Sequence, residues 1–282
     1  MRRHFSRYPN GDPRHVTSFE EDLENLNKVT LADARKFYTD FLGASNAEIA
    51  IVGDFDPAEV RKIAEAELGN WKSPQPYTQI LRVRDRVEVV NQMIETPDKA
   101  NALFSGGFTL EMNEDDPDYP ALMLANDMFG GDLKSRLFAR IREKDGLSYG
   151  VRSGFTASLR SKFAQFAVQA ICAPENMLKV EAAFKDEVAK LLKEGFGEEE
   201  VAAARKTYMD DRTLGRSQDA GLARLLARNA QFGWTMTRDA GLDKKVQALT
   251  TAQINVTVKK YLDPAGISYF KAGDFKKAGL TR

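Results

Sequence analysis

The sequence predicts an α+β fold in which helices pack on one face of a largely antiparallel sheet. Predicted strands occur in adjacent pairs, predicted helices occur in runs, and glycine or proline separates most of these segments. The 282 residues include 43% hydrophobic and 29% charged side chains, a balance typical of globular proteins with a buried core. This composition excludes a disordered or fibrous chain.

Two pairs of strands are predicted in the middle of the chain. Residues 87–94 and 102–110 form the first pair, and residues 147–157 and 163–171 form the second, since both are rich in β-branched and aromatic residues and lack a helical period. The polar residues 158–162 predict the turn within the second pair. A last strand is predicted at residues 266–272.

Two helices are predicted between these strand pairs. Carboxylates at residues 114–116 precede a predicted helix over residues 117–129, where negative charge suits the positive end of the helix dipole. After Gly130-Gly131, a second helix is predicted, with Asp132 as its N-cap and Gly146 at its end. One face of this helix should be buried, formed by Leu133, Leu137, Phe138 and Ile141.

A long helix is predicted from Pro174 to the glycines at positions 195 and 197. Its buried stripe should consist of Met177, Phe184, Val188 and Leu191. The three glutamates at residues 198–200 follow at the start of the next helix, where capping explains them without a metal. The chain is predicted to remain helical up to its last strand.

Segments near the two ends of the chain are alike at an offset of 220 positions, the difference between Gly273 and Gly53. Thr30 matches Thr250, Leu42 matches Leu262, and the triplet Gly-Asp-Phe at residues 53–55 recurs at residues 273–275. Each copy predicts a helix that begins after threonine, followed by a short strand, at residues 47–52 in the first copy. The sequence therefore predicts an internal repeat of about 220 residues.

This repeat suggests a division into domains. Residues 1–75 would be the closing part of an upstream domain, residues 76–87 a linker, and residues 88–282 a nearly complete second domain. Pro74 and Pro76 lack backbone donors and favour an extended segment at the junction.

Charge and cysteine content narrow the classes of function. The 41 Lys and Arg residues balance 41 Asp and Glu residues, so no overall attraction to nucleic acid or anionic lipid is expected. No apolar run is long enough for a membrane span. The one cysteine, Cys172, follows an apolar strand and is better explained as a small buried residue than as a nucleophile.

Histidines are too few for a zinc site of the usual kind. His4 and His15 are the only two, and we expect both to be surface loop residues. Neither H-x-x-E-H nor a histidine pair at i and i+4 is present. We therefore expect this chain to hold no metal and to contain no catalytic residue.

One long motif stands out at residues 130–149, which read GGDLKSRLFARIREKDGLSY. This motif closely resembles one in the non-catalytic domains of the insulinase-like, or pitrilysin-type, zinc peptidases. The matching elements are, in order, G-G, S-R-L-F, I-R-E, G-L and Y. The segment from Tyr8 to Pro13, the predicted helix over residues 30–42 and the run from Ile51 to Phe55 are similar to the last third of a domain of that family. The resemblance covers nearly the whole chain.

The resemblance implies a fold, a role and a site. The fold would be that of an insulinase or mitochondrial processing peptidase domain. Arg142 and Tyr149 match an arginine and tyrosine pair that, in the family, contacts substrate held at the zinc site of a partner domain. Without the family, Arg142 could simply favour a helix carboxyl end while Tyr149 packs in the sheet.

The leading functional interpretation is the carboxyl-terminal, substrate-binding part of a zinc metallopeptidase that hydrolyses peptides. An upstream catalytic domain or partner subunit would supply zinc, and this chain alone should have no activity. The alternative is a non-catalytic scaffold or peptide-binding subunit of the same fold. Resemblance to bacterial relatives that are often exported implies the periplasm as a location, which the residues themselves do not specify.

Overall fold

The computed structural model of the protein describes residues 1–280. Its strands are β1 (Asn91–Glu95), β2 (Ala102–Leu110), β3 (Gly150–Ala157), β4 (Ala164–Cys172) and β5 (Ser268–Gly273). Its α-helices are α1 (Phe19–Lys28), α2 (Leu31–Phe41), α3 (Pro57–Leu68), α4 (Tyr119–Asn126), α5 (Met177–Glu194), α6 (Glu198–Ser217), α7 (Asp219–Phe232), α8 (Met236–Ala248) and α9 (Thr251–Tyr261). Two π-helical segments, Asp127–Gly131 and Phe138–Lys144, lie between α4 and β3.

The five strands form one sheet in the order β1-β5-β2-β4-β3. Strand β1 pairs with β5 in parallel, and all other neighbours in this sheet are antiparallel. The longest ladder joins β2 to β4, from Ala102 opposite Cys172 to Leu110 opposite Ala164. The predicted α+β fold with a largely antiparallel sheet is confirmed.

Two compact units make up the chain. The first contains Met1–Val16, Leu81–Tyr208 and the residues from Lys244 onward, and the second contains Thr17–Ile80 and Met209–Asp243. The predicted boundaries at residues 75 and 88 remain a prediction, because contacts within this chain do not test them.

The core of the first unit lies between α5 and the sheet. The four predicted residues of the α5 stripe are all buried, at most 3% exposed. The Phe184 ring lies 5.7 Å from that of Phe104 on β2 and 6.2 Å from that of Tyr269 on β5. Gly195, at φ 76°, ends the helix as predicted.

The first sixteen residues also belong to the first unit. Nε2 of His4 lies 3.1 Å from Oγ of Ser268, and the neighbouring Phe5 is buried. Nδ1 of His15 lies 2.7 Å from the carbonyl oxygen of Tyr8. Both histidines lie in loops, as expected, but each is half-buried and hydrogen-bonded.

The second unit exposes most of the apolar residues of its amino-terminal helices. Phe19 on α1 is 89% exposed and Phe37 on α2 is 58% exposed, although both helices have the amphipathic pattern of packed helices. No residue of α1, α2 or α3 is buried. These three helices therefore present apolar surface that the second unit itself does not cover.

The two helices of the predicted repeat match closely. Helices α2 and α9 each have 11 residues and begin with a capping box, in which Thr30 and Thr250 accept from the backbone N–H three residues later. The strands do not match: residues 47–52 form no strand, whereas β5 lies between β1 and β2. A strand needs a neighbouring backbone for its hydrogen bonds, and residues 47–52 find none among the described residues.

Other predicted elements differ in detail. The first predicted strand begins at Asn91 rather than at residue 87. The helix predicted after Gly130-Gly131 is mainly π-helical, and Leu133, predicted to be buried, is 71% exposed. Asp132 caps the backbone N–H of Lys134 in a turn, so Leu133 precedes the helical period that buries Leu137 and Ile141.

Candidate functional site

The glycine pair at the start of the motif allows close packing against β3. A Cβ atom on Gly130 would lie 2.5 Å from Oγ of Ser153 and 2.8 Å from Cδ1 of Leu137. The Ser153 hydroxyl donates a 2.8 Å hydrogen bond to Oδ1 of Asn126, at the end of α4. A larger residue at position 130 would therefore force the side chain of Ser153 on β3 or that of Leu137 to shift.

Arg136 anchors the beginning of the helical segment that follows. Its guanidinium donates from Nε and Nη2 to the two carboxylate oxygens of Glu200, at 2.9 and 2.7 Å. Nη2 also donates to the carbonyl oxygen of Gly195, and the guanidinium lies 4.7 Å from the centre of the Phe196 ring. The sequence explained Glu200 as a helix cap, and the structure adds that it holds this arginine.

A glycine turn ends the π-helix and directs the chain into β3. Gly146 has φ 60°, a left-handed conformation that glycine adopts without strain. The N–H of Leu147 donates to the carbonyl oxygen of Ile141 at 2.9 Å, closing the helix end. Arg140 and Asp145 form a 2.7 Å ion pair across the same turn. The prediction that Gly146 ends this helix is confirmed.

Hydrogen bonds to β4 fix the residues that lead into β3. Oγ of Ser148 lies 2.7 Å from the carbonyl oxygen of Ile171, and Ser148 is buried. The backbone N–H of Tyr149 donates to that same oxygen at 2.9 Å. Strand β3 lies at the edge of the sheet and has β4 as its one neighbour among the described strands. The two hydrogen bonds to Ile171 therefore hold Tyr149 at this edge.

Arg142 and Tyr149, the predicted substrate-binding pair, lie at the two ends of this anchored connection. Arg142 is exposed, with its guanidinium 5.5 Å from the centre of the Phe138 ring, one helical turn earlier. Tyr149 is 69% exposed. Leu137 and Ile141 on the preceding helical segment are fully buried, so the connection between the two exposed hydrogen-bond donors starts from a packed segment.

The residues of this chain do not fit a zinc ion. Residues 119–129 would correspond by position to the zinc-binding helix of the active relatives that the sequence resembles. Their only polar interior residues are Asn126 and Asp127, and Asn126 already accepts a hydrogen bond from Ser153. Within residues 1–280, no three His, Cys, Asp or Glu side chains are grouped so that they could hold a metal ion. No chemical step at a metal is therefore assigned to this chain.

Cys172 is fully buried at the end of β4. Burial raises the pKa of its thiol to about 11, with a smaller contribution from the charge of Glu175. The reactive thiolate is therefore scarce at neutral pH, in agreement with the interpretation of Cys172 as a buried apolar residue.

A buried ion pair that the sequence did not reveal lies between β5 and α5. Nζ of Lys271 donates to Oε2 of Glu181 at 2.5 Å, and Lys185 and Asn91 donate to its Oε1 at 2.6 and 3.1 Å. Burial alone would raise the pKa of Glu181, but the hydrogen bonds and charges of Lys185 and Lys271 outweigh it and hold the pKa below its usual value. The i, i+4 spacing of Glu181 and Lys185 was the only local signal.

No helix in the described part of the chain is both long enough and apolar enough to cross a membrane.

Comparison with known proteins identifies a family. Residues 28–208 match the family described as the peptidase M16 inactive domain. An uncharacterized zinc protease of Streptomyces coelicolor is 25% identical over 217 residues, 73% of this chain and 46% of that protein. The "probable inactive metalloprotease" YmfF of Bacillus subtilis is 23% identical over 128 residues, 45% of this chain and 30% of that protein.

A solved structure has the same fold. The peptidase M16 inactive domain from Pseudomonas fluorescens aligns with 96% of this chain and 63% of its own length, at a TM-score of 0.74 and 23% identity. The chain spans less than half of the length of the two curated relatives.

Proposed function

Because this chain belongs to the family of peptidase M16 inactive domains, we propose that it is the substrate-binding, non-catalytic part of a zinc metallopeptidase that hydrolyses peptides. An inactive domain of this kind implies a partner catalytic domain. The partner would supply the zinc and the general base, since no group of His, Cys, Asp or Glu side chains within residues 1–280 could hold a metal ion.

The observation that carries this proposal is the anchored connection bearing Arg142 and Tyr149. Peptide hydrolysis places negative charge on the carbonyl oxygen under attack, and fixed donors stabilise that charge because they need no reorganisation. Arg142 has a permanent cation with several N–H donors, and Tyr149 has a hydroxyl on a rigid ring. Their exposure leaves both groups accessible to a peptide held by another domain.

The uncovered helices of the second unit support the same proposal. Helices α1, α2 and α3 present apolar side chains that a soluble monomer normally buries. We propose that a part of the whole protein outside this chain covers them, as the greater length of the curated relatives suggests.

The test uses the complete protein or the chain assembled with its catalytic partner. Arg142→Ala and Tyr149→Phe should each lower peptide turnover by roughly ten- to more than a hundredfold, since each loses a hydrogen bond to a developing charge. Zinc content and melting temperature should stay near those of the unmodified protein. Lys144→Ala is the matched control, because it removes an exposed cation from the end of the same π-helix.

Two results would contradict the proposal. Full activity in both variants would show that the pair does not bind substrate. A complete protein with no peptidase activity and no peptide affinity, assembled and correctly folded, would favour the alternative of a scaffold subunit with the same fold.

A further inference from the structure

Four arginines of the second unit converge on one cavity between α6 and α7. Arg212 and Arg216 lie one turn apart on α6, and Arg224 and Arg228 lie one turn apart on α7. A single residue, Gln218, joins the two helices. The cavity lined by these arginines has a volume of about 320 Å³, near the lower end of the range for small-molecule sites, roughly 300–1,000 Å³.

Two glycines bring the helices close enough for the arginines to meet. A Cβ atom on Gly221 would lie only 2.1 Å from the carbonyl oxygen of Gly215. Both glycines line the cavity together with the four arginines. The close approach of α6 and α7 at this point therefore depends on the absence of side chains, and it places both arginine pairs around one space.

Buried carboxylates hold three of these arginines in place. Asp239 lies 3.2 Å from Nη2 of both Arg212 and Arg228, and Asp243 accepts from Nη2 of Arg216 at 2.5 Å. Arg212 also contacts Asp243. Asp239 and Asp243 are 3% and 7% exposed. They therefore orient the guanidinium groups, and neither carboxylate is among the residues that line the cavity.

The charges around this cavity do not cancel. Arg212, Arg216 and Arg228 pair with Asp239 and Asp243, whereas in the part of the chain that the structure describes no carboxylate pairs with Arg224. The residues lining the cavity include no acidic side chain. The groups that this cavity offers to a bound molecule therefore include cationic donors and no carboxylate, which favours an anion.

We propose that this cavity binds a phosphate group, either as the free ion or as a phosphoryl ester on a small molecule. A guanidinium presents paired N–H donors that match the oxygens of phosphate in a two-point arrangement, which a lysine cannot reproduce. Three arginines held by buried carboxylates form the rigid part of the site. Arg224, exposed and without an ion-pair partner among the described residues, supplies a further guanidinium at the cavity.

Isothermal titration of the 282-residue chain with inorganic phosphate, O-phosphoserine and citrate tests this proposal, at an ionic strength held constant with sodium chloride. We expect about one phosphate bound per chain. Arg224→Gln should weaken binding by roughly ten- to a hundredfold, and Arg224→Lys should weaken it less, because it keeps the charge but loses the two-point geometry. Since Arg224 is exposed, both variants should give the circular dichroism spectrum of the unmodified chain.

Arg61→Gln on α3 is the matched control, because it removes one exposed cation of the same unit that does not line the cavity. Phosphoserine binding at least as tight as phosphate binding would assign the site to a phosphoryl ester, whereas binding of inorganic phosphate alone would assign it to the free ion. Absence of phosphate binding, equal loss in Arg61→Gln and Arg224→Gln, or tight binding of citrate alone would each overturn the proposal.

Discussion

Arg136 and Glu200, 64 positions apart, form a two-point ion pair in which Nε and Nη2 of the arginine donate to the two carboxylate oxygens of the glutamate. Arg136 belongs to the motif that ends at Tyr149, and Glu200 lies in the first turn of α6. Their side chains are 18% and 31% exposed, so the pair is only partly screened by water. It joins the motif to the turn that begins α6.

Replacing Glu200 should therefore destabilise the chain. Glu200→Gln should lower the free energy of unfolding by about 1–2 kcal/mol, since Arg136 loses a charged partner in a half-buried position. Glu199→Gln, at the exposed neighbouring position, should change it by less than about 0.5 kcal/mol. Urea unfolding curves measure both, and equal effects of the two substitutions would show that the ion pair adds no stability.

The isolated chain should retain no stoichiometric zinc. His4 and His15 are each engaged in hydrogen bonds elsewhere, and carboxylates alone suit harder cations. Elemental analysis of the purified chain after dialysis against a zinc-containing buffer should find well below one zinc per chain. Tightly held zinc at a ratio near one would contradict both this prediction and the assignment of zinc to a partner domain.

The apolar surface of α2 should behave as an unfilled interface. Phe37 and Phe41 stack at 5.1 Å on this exposed face. Phe37→Glu should leave the unfolding free energy of the isolated chain within about 0.5 kcal/mol and should reduce its binding of a hydrophobic dye. In the complete protein the same substitution should destabilise the fold, because the partner surface would then bury a charge.

The control for this surface is a true core residue of the first unit. Leu137→Ala should cost about 2–5 kcal/mol in the isolated chain, because Leu137 is fully buried. If Phe37→Glu were as costly as Leu137→Ala in the isolated chain, Phe37 would already be packed and α2 would need no partner.

Glu181 should make the protein sensitive to acid. Its pKa is lower in the folded chain than in the unfolded chain, where it is about 4.3, so the unfolded state binds the proton first as the pH falls. The stabilisation by Glu181 is thus complete above about pH 5 and is lost as the pH drops through the depressed folded value. Unfolding free energies measured from pH 7 to pH 3 should reveal this loss.

The matched variant for this pH effect is the double substitution Glu181→Gln with Lys271→Met. Removing both partners avoids an unpaired buried charge, which a single substitution would leave. The double variant should lose less stability between about pH 5 and pH 3 than the unmodified chain. Parallel pH curves for the two proteins would assign the acid sensitivity to other carboxylates, such as that of Asp118, whose pKa is lowered mainly by its hydrogen bond from Lys260.

Local chemistry determined much of this fold in advance. The limits of β2 coincide with the predicted strand, and the apolar stripe of α5 is buried as its helical period indicated. The turn at Gly146 and the threonine caps of α2 and α9 could also be predicted, because a cap or a left-handed glycine depends on residues close in sequence. The motif around Arg142 and Tyr149 also identified the family, because its residues are contiguous in the sequence.

Only the tertiary structure decided the features that depend on distant partners. Residues 47–52 have the pattern of a strand but form none, whereas β5 does so because β1 and β2 supply hydrogen bonds on both sides. Lys271 and Glu181 form an ion pair although they lie 90 positions apart, and the packing of α6 against α7 places four arginines around one cavity. A hydrogen bond or ion pair forms wherever folding places its two groups within about 3 Å, and sequence spacing alone does not determine that distance.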